Sequence, residues 1–589
     1  MSAELAEKLS MQTRQLITRF ENRVDTFGGR DDLATLLVTL DKDSAIRFAR
    51  SFFGEGEFTA TGIDGSMDFD ERLQMMLFYS NATAYSCPFE VGDSISFRPQ
   101  DARREDKLSA SAAIPLWAED FSSVLPDVPE IDIELEHSIE RIPNAFMTLA
   151  ELYMAAQAMG NSRVVFLDRP ISGTYSTLSR DVRLLLRRGV SNLTKMNVKI
   201  SFLDLYLCLS VGAPGMQVPR RHRFLPFAVI NKLTQSELTF SELARELGVS
   251  ETAIERAAKR LGKTNERFGG ALLSDASVHS IKVREEAKKY WQRAVTLALD
   301  YADSVYSKGG HPLSLPDDDW LTVLDVNAIS FILLQHVCEE ARKKGVLLIG
   351  IAKDTTATDV TRAVLPFSIE SGYLKPKSSP PRLKNDRAFL TVLSSTNERI
   401  RTPWRTLGYD SAFSTIAHTE DPSRKFVSAR KAVSRERLFV RSFFQLRTLR
   451  SDPHVRSPVF LFDRPYDDEE DAKSKVQLEA HERSGKTTVE PYFEGGAASD
   501  SSNLVLYILS LMDNPEVFEA YGHNQLLYLA DKAVKAEVRL SRSALRAVAD
   551  LRVGGLSRRT NIYGLTTTYR EQRSEAERAR MRAASSERE

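Results

Sequence analysis

Three apolar runs in this chain each end on a residue suited to a phosphate or a hard cation. Phe58-Thr-Ala-Thr-Gly-Ile-Asp64-Gly-Ser66 leads a β-branched run into an acid. Arg163-Val-Val-Phe-Leu-Asp168-Arg-Pro170 repeats the theme, and Gly345-Val-Leu-Leu-Ile-Gly-Ile-Ala-Lys353 ends on a lysine. Hydrolysing a phosphodiester requires stabilisation of the in-line transition state and an activated water. Two divalent cations about 3.5–4 Å apart can provide both. Mg²⁺ and Mn²⁺ take oxygen ligands, so carboxylates must converge from different elements. Asp64, Asp168 and a further acid supply such ligands, and Lys353 can hold the scissile phosphate.

The elements that must position these residues follow from periodicity. The β-branched run predicts a strand that delivers Asp64 to its mouth, with Gly65-Ser66 turning the backbone. A hairpin is expected around Met67–Arg72, then a strand over Leu73–Tyr85. The apolar spacing from Ile131 to Met159 predicts a helix kinked or split at Pro143. Glu151 falls on that helix amid apolar neighbours and is a candidate inward carboxylate. Residues 1–27 read as an amphipathic helix with Leu5, Leu9, Leu16, Ile17 and Phe20 on one side. A second helix is expected over 31–53, and loops over 87–130 and 375–395. Helices are expected over 283–306 and 325–344, and a strand ending on Asp463. Residues 467–503 read as a polar, mobile stretch. Ser502–Leu511 reads as a strand or a helix start, His523–Glu537 as a helix, and the tail from Tyr569 as frayed or disordered.

Composition narrows the class. The chain has 589 residues, 42% hydrophobic and 27% charged, with net charge +0. Those are the proportions of an ordinary soluble globular protein. No apolar run is long enough to span a membrane, and no secretory leader is evident. Three cysteines without Cys-x-x-Cys spacing argue against a disulfide framework or structural zinc, and a cytoplasmic location is expected.

Two stretches suit nucleic acid. Leu238 to Leu261 has a helix-turn-helix layout, with Ala244 at the crossing, Gly248 at the turn and Ser250 capping a helix that would expose Arg256 and Lys259. Its other reading is a helical protein–protein module. Between Arg424 and Arg450 nine Lys/Arg face one acid, interleaved with Phe426, Phe439, Phe443 and Phe444. Arg430, Lys431, Arg435 and Arg441 are the candidate phosphate contacts there. A helix with a solvated basic face and an apolar core face fits the same residues.

The sequence also resembles the NurA nuclease family. The resemblance lies in Ile63-Asp64-Gly-Ser66, Phe166-Leu-Asp168-Arg-Pro170, Ile349-Gly-Ile-Ala-Lys353, Phe439-Val-Arg-Ser-Phe-Phe-Gln-Leu446 and Asn524-Gln-Leu-Leu-Tyr-Leu-Ala-Asp531. It implies an α/β, RNase H-like mixed sheet flanked by helices and a Mn²⁺- or Mg²⁺-dependent nuclease. The implied activities are 5′→3′ exonuclease and single-strand endonuclease. The implied partners are DNA, a second copy of the chain and a HerA-type hexameric ATPase, in DNA end processing or phage defence. It assigns Asp64, Asp168, Glu151 and Asp531 as metal ligands and Lys353 as the catalytic lysine. Phe462-Asp463-Arg464-Pro465 stands where the family has an Arg-x-Glu strand. The implied organisation is a helical region over 1–54 for partner docking, a nuclease domain in two parts (55–219 and 301–565), an inserted helical segment over 220–300, and a charged tail over 566–589. The competing expectation is a non-enzymatic DNA-binding or regulatory protein built on the helix-turn-helix and the basic segment.

Overall fold

The structure, a computed structural model, describes residues 2–560 apart from 28–29, 72–74, 127–138, 197, 215, 217, 220–222, 277–280, 308–310, 317–318, 382, 420, 422, 429–435, 449–455, 483–484, 496–498 and 514–521. The tail expected to be frayed lies outside the described residues.

Helix α1 (Ser2–Asp25) forms where the amphipathic pattern places it. The single helix expected over 31–53 is instead a helical turn (Asp31–Ala34), strand β1 (Leu37–Thr39) and α2 (Lys42–Phe53). The Leu-Val-Thr run pairs antiparallel with β10 (Trp404–Thr406), and Asp41 caps α2 by accepting from the Ser44 N–H at 3.1 Å.

Strand β2 (Gly56–Glu71) does not turn after Asp64. It continues through Gly65 and Ser66 and pairs with β3 (Met75–Val91) from Gly56 opposite Val91 to Glu71 opposite Met76. The ladder with β3 overrides the local turn preference of the Gly-Ser pair. Residues 87–130, expected as loops, contain β4 (Ile95–Phe97) and β5 (Arg103–Trp117). Ala110, Ala112, Ile114 and Leu116 alternate inward along β5, an alternation that small alanines disguise.

Of the helix expected over 131–159, residues 131–138 lie outside the described residues, Ile139 is helical, Glu140 is a turn, and helix α3 (Arg141–Ala158) runs on from there without a break. Pro143 lies in its first turn, where no intrahelical donor is lost. It leads through β6 (Val164–Leu167) to α4 (Ile171–Arg188), α5 (Phe202–Ser210), α6 (Leu225–Gln235), α7 (Phe240–Leu247) and α8 (Glu251–Arg267). A small hairpin follows, β7 (Leu273–Ala276) with β8 (Ile281–Val283), and then α9 (Tyr290–Ser307), α10 (Val323–Lys344) and β9 (Leu347–Ala352). Helix α11 (Asp386–Thr396) occupies part of the expected 375–395 loop, with Asn385 as its cap. Beyond β10 come β11 (Tyr409–Asp410), β12 (Ile416–His418), β13 (Phe426–Ser428), β14 (Phe439–Gln445) and β15 (Phe460–Pro465). Residues 467–503 carry the hairpin β16 (Leu478–Glu482) and β17 (Gly485–Val489), pinned by the buried pairs Arg464–Asp471 (2.7 Å) and Arg405–Glu494 (2.6 Å). Helices α12 (Asp500–Leu511) and α13 (Gln525–Thr560) close the described chain.

The main sheet is mixed and eleven-stranded, ordered β1-β10-β14-β15-β9-β6-β2-β3-β4, with β5 on β3 and β11 on β14. Strands β2, β3 and β5 are successive antiparallel neighbours, whereas β6 and β9 run parallel to β2. Helices cover both faces. On one, Ile63, Val165, Leu167 and Leu348 pack against α3, α4 and α10. On the other, Ala60, Phe166, Ile349, Ile351 and Phe462 pack against α12 and the start of α13.

Candidate metal centre

The register of the parallel strands brings the first two carboxylates side by side. Ile63 of β2 stands opposite Leu167 of β6, so Asp64 and Asp168 are the next residues in step. The Asp168 N–H donates to the Ile63 carbonyl at 3.2 Å and holds the two chains together at that point. Leu167 is in turn opposite Gly350 of β9. Alternation along β9 therefore puts Lys353 on the same face as Asp168. Its Nζ lies 2.5 Å from Asp168 Oδ2.

Helix α13 crosses this face and brings the third carboxylate. Gly62, two residues before Asp64, permits the crossing: a Cβ there would lie 2.7 Å from Leu526 Cβ and 3.1 Å from the Leu527 nitrogen. Asp531 lies on the same helix as Leu526, about a turn and a half further on. Asp64, Asp168 and Asp531 each offer one carboxylate oxygen, and these oxygens all lie within 4.8 Å of one another.

Asp64 is the innermost ligand candidate, at 5% exposure. Its Oδ1 accepts from the Gly65 N–H at 2.8 Å, while its Oδ2 is buried with no hydrogen-bond partner among the described residues. Burial, then the charges of Asp168 and Glu151, push its pKa up to about 9. Burial works against the Lys353 ammonium, yet Asp168, with Asp64 and Asp531, holds its pKa above the ordinary lysine value. Three mutually close acidic oxygens, one of them from the buried Asp64, form an all-oxygen donor set, which suits Mg²⁺ or Mn²⁺.

Glu151 is inward but does not join the three. Residues 64 and 65 point to opposite faces of β2, and a Cβ on Gly65 would overlap the Glu151 carboxylate and come within 2.8 Å of Met147 Cγ. Glu151 thus approaches from the α3 side, fully buried and ion-paired to Arg169 Nε; Arg169 Nη1 also donates to Thr148 Oγ1 at 2.8 Å. Burial raises the Glu151 pKa, and Arg169 opposes the rise.

The remaining sequence candidates separate. Arg441 is not available to a phosphate: it is buried in β14 and its guanidinium pairs with Asp359. The aromatic run around it is a central strand, neither a groove lining nor a helix face. Arg430, Lys431 and Arg435 lie outside the described residues. Arg256 and Lys259 are exposed on α8. Asp463 faces away from the cluster, accepting from the Ile171 N–H (2.9 Å) and the Ser172 N–H (2.8 Å) at the start of α4. Two neighbours of the cluster were not singled out from sequence. Arg169 was signalled only by following Asp168. His523, 8% exposed, has its pKa lowered to about 3 by burial and then by Lys353, and no local pattern announces it.

Fold and site together define a mixed α/β protein, its sheet flanked by helices, with a cluster of three carboxylates and a lysine at one edge of its parallel strands. Among solved structures the chain is similar to the NurA nuclease from Sulfolobus solfataricus, with TM-score 0.37 and 10% identity over 93% of this chain and 97% of that one. It is also similar to NurA with manganese (TM-score 0.32, 11% identity, 92% and 98% covered) and to NurA bound to dAMP and manganese (TM-score 0.34, 10% identity, 86% and 94% covered). No protein-family model and no curated protein matches the sequence.

Proposed function

We propose that the chain is a metal-dependent DNA nuclease whose centre is Asp64, Asp168 and Asp531, with Lys353 beside it. The observation that carries this reading is the convergence of Asp64 on β2, Asp168 just after β6 and Asp531 on a distant helix, each with an oxygen within 4.8 Å of the other two, while Asp64 Oδ2 is buried with no hydrogen-bond partner among the described residues. Asp64, Asp168 and Asp531 would hold Mn²⁺ or Mg²⁺, which when bound supplies Lewis-acid stabilisation of the phosphoryl oxygens and a more acidic water. Lys353 keeps its positive charge next to Asp168 with 31% of its side chain exposed, so it can meet a phosphate arriving from solvent. Arg169 and Glu151 brace the sheet from the opposite face.

A three-strand antiparallel meander (β2, β3, β5) followed by two strands parallel to the first, with acids on the first strand, after the fourth and on the closing helix, supports an RNase H-like arrangement. Exonuclease and single-strand endonuclease action, a homodimer, and work with a HerA-type ATPase in end processing or phage defence rest on the motif resemblance. Helix α1, with Leu9, Leu16, Ile17 and Phe20 exposed, is the element we assign to that docking.

Incubation of labelled linear DNA with Mn²⁺ tests the centre. Wild type degrades it, whereas Asp64→Asn, Asp168→Asn and Asp531→Asn each lose about 100-fold or more in rate and bind Mn²⁺ more weakly by calorimetry. Full activity in the Asp64 and Asp168 variants removes the proposed site. Deleting residues 2–20 weakens co-elution with the ATPase; unchanged co-elution rejects the docking role of α1.

A further inference from the structure

The segment from α6 to β8 plays no part in the metal centre, yet its construction is specific. Helices α7 and α8 are joined by only three residues, Gly248 to Ser250. Gly248 takes φ 63°, a left-handed conformation that admits glycine without strain. The Val249 N–H returns to the Ala244 carbonyl at 3.0 Å, and Ser250 caps α8 by accepting from the Ala253 N–H at 3.3 Å. Small Ala244 and the apolar Leu243, Leu247, Ile254, Ala257 and Leu261 are all buried, which fixes the crossing of the two helices over α6.

The hairpin β7–β8 is locked beside the end of α8. Asn265 Oδ1 accepts from the Leu272 N–H (3.0 Å) and the Leu273 N–H (2.8 Å), and Arg284 Nε donates to the Gly270 carbonyl at 2.7 Å. A helix-turn-helix with a hairpin fastened to its second helix is a helix with a wing. The outward side of α8 presents Arg256, Lys259, Arg260, Lys263 and Arg267, all exposed; Arg256, Arg260, Lys263 and Arg267 follow one another at three- or four-residue steps, and Lys259 stands beside them on the same side.

We propose that α6–α8 with the β7–β8 wing is a second nucleic-acid site, which grips duplex DNA by laying α8 in the major groove. The seventeen residues of α8 make a rod of about 25 Å, and a B-form major groove about 12 Å wide admits a helix. Duplex DNA carries one negative charge per roughly 1.7 Å, which the basic stripe complements. The deep, narrow major groove of duplex RNA excludes such a helix. This site stands independently of the nuclease reading and would hold the duplex whether or not the centre cuts it.

Fluorescence anisotropy of the full chain with a labelled blunt duplex, in chelator so that no cutting occurs, tests the proposal. The triple variant Arg256→Ala/Lys259→Ala/Lys263→Ala loses about 10-fold or more in affinity, and its log K against log salt slope shrinks by about 2–3. The charge-conserving Arg256→Lys/Lys259→Arg variant keeps both, which separates charge from folding. Because chelator prevents cutting, the assay reads binding alone, so failure of the nuclease reading leaves this result intact. Unchanged affinity and slope in the alanine variant overturn the proposal, as does equally tight binding of duplex RNA. A loss of association with another protein while duplex binding persists also overturns it.

Discussion

Lys353 has to remain charged although it is partly buried, and its 2.5 Å contact with Asp168 is what keeps it so. A lysine held there meets charge that grows on the phosphate as the bond breaks, so it serves the transition state more than the ground state. Lys353→Ala is therefore expected to lower single-turnover cleavage by about 100-fold while DNA affinity changes little. A variant that loses binding but keeps its cleavage rate would reassign the residue to substrate capture. At this scale Asp64, Asp168 and Lys353 were legible because each ends or interrupts an apolar, β-branched run. Asp531 came only from the motif resemblance, since nothing local marks an acid on an amphipathic helix. The fates of Glu151 and Arg441 were not legible. Their neutralising partners, Arg169 and Asp359, lie 18 and 82 residues away in sequence, and a charge reads as surface until such a partner is known.

The contact between β2 and α13 is the element on which the centre depends most. It exists because Gly62 has no side chain where Leu526 and Leu527 come down. Gly62→Ala must push α13 outward, and Asp531 moves with it. Thermal melts and Mn²⁺ titration should show a loss of about 1–3 kcal/mol in stability together with weakened metal binding. Gly92→Ala, whose added Cβ meets nothing within 4 Å, is the matched control and should leave both unchanged. If Gly62→Ala binds Mn²⁺ as wild type does, Asp531 is not held by this packing. The same pair of elements shows where reading by element broke down. Gly65-Ser66 looked like a turn, yet it sits in the middle of a sixteen-residue strand because β3 supplies partners on its whole length. The part of the basic stretch around Arg441 followed the same rule: Phe439–Gln445, which looked like an exposed face, is a buried central strand flanked by β15 and β10. Periodicity did locate α1, α3, α10 and the start of α13, since long amphipathic helices carry their own signal and pairing partners do not.

Across the whole molecule the centre joins parts of the chain that only the completed fold brings together. Asp64 and Asp531 are 467 positions apart by their numbering, and α13 is tied back to β2 by Arg542–Asp68 (3.0 Å) and to β5 by Arg104–Glu537. No reading along the chain could show that the closing helix returns to β2, because that packing is set by long-range sheet order. The arrangement also has a thermodynamic signature. Without a cation, a buried carboxylate oxygen with no hydrogen bond faces two other acids, which costs stability. Burial lifts the Asp64 pKa to about 9, so at neutral pH folding has to protonate it; Asp64→Asn removes that cost, and in chelator the variant should melt at a higher temperature than wild type. Adding Mn²⁺ should reverse the order. Wild type gains about 2.7 kcal/mol at a hundredfold excess over Kd, because the ion ties β2, the end of β6 and α13 together, whereas the variant gains little. Differential scanning calorimetry in EDTA and in Mn²⁺ decides it. A wild-type melting temperature indifferent to the metal, or an Asp64→Asn variant destabilised in chelator, means that the three acids are a structural feature of the sheet and not a place for an ion.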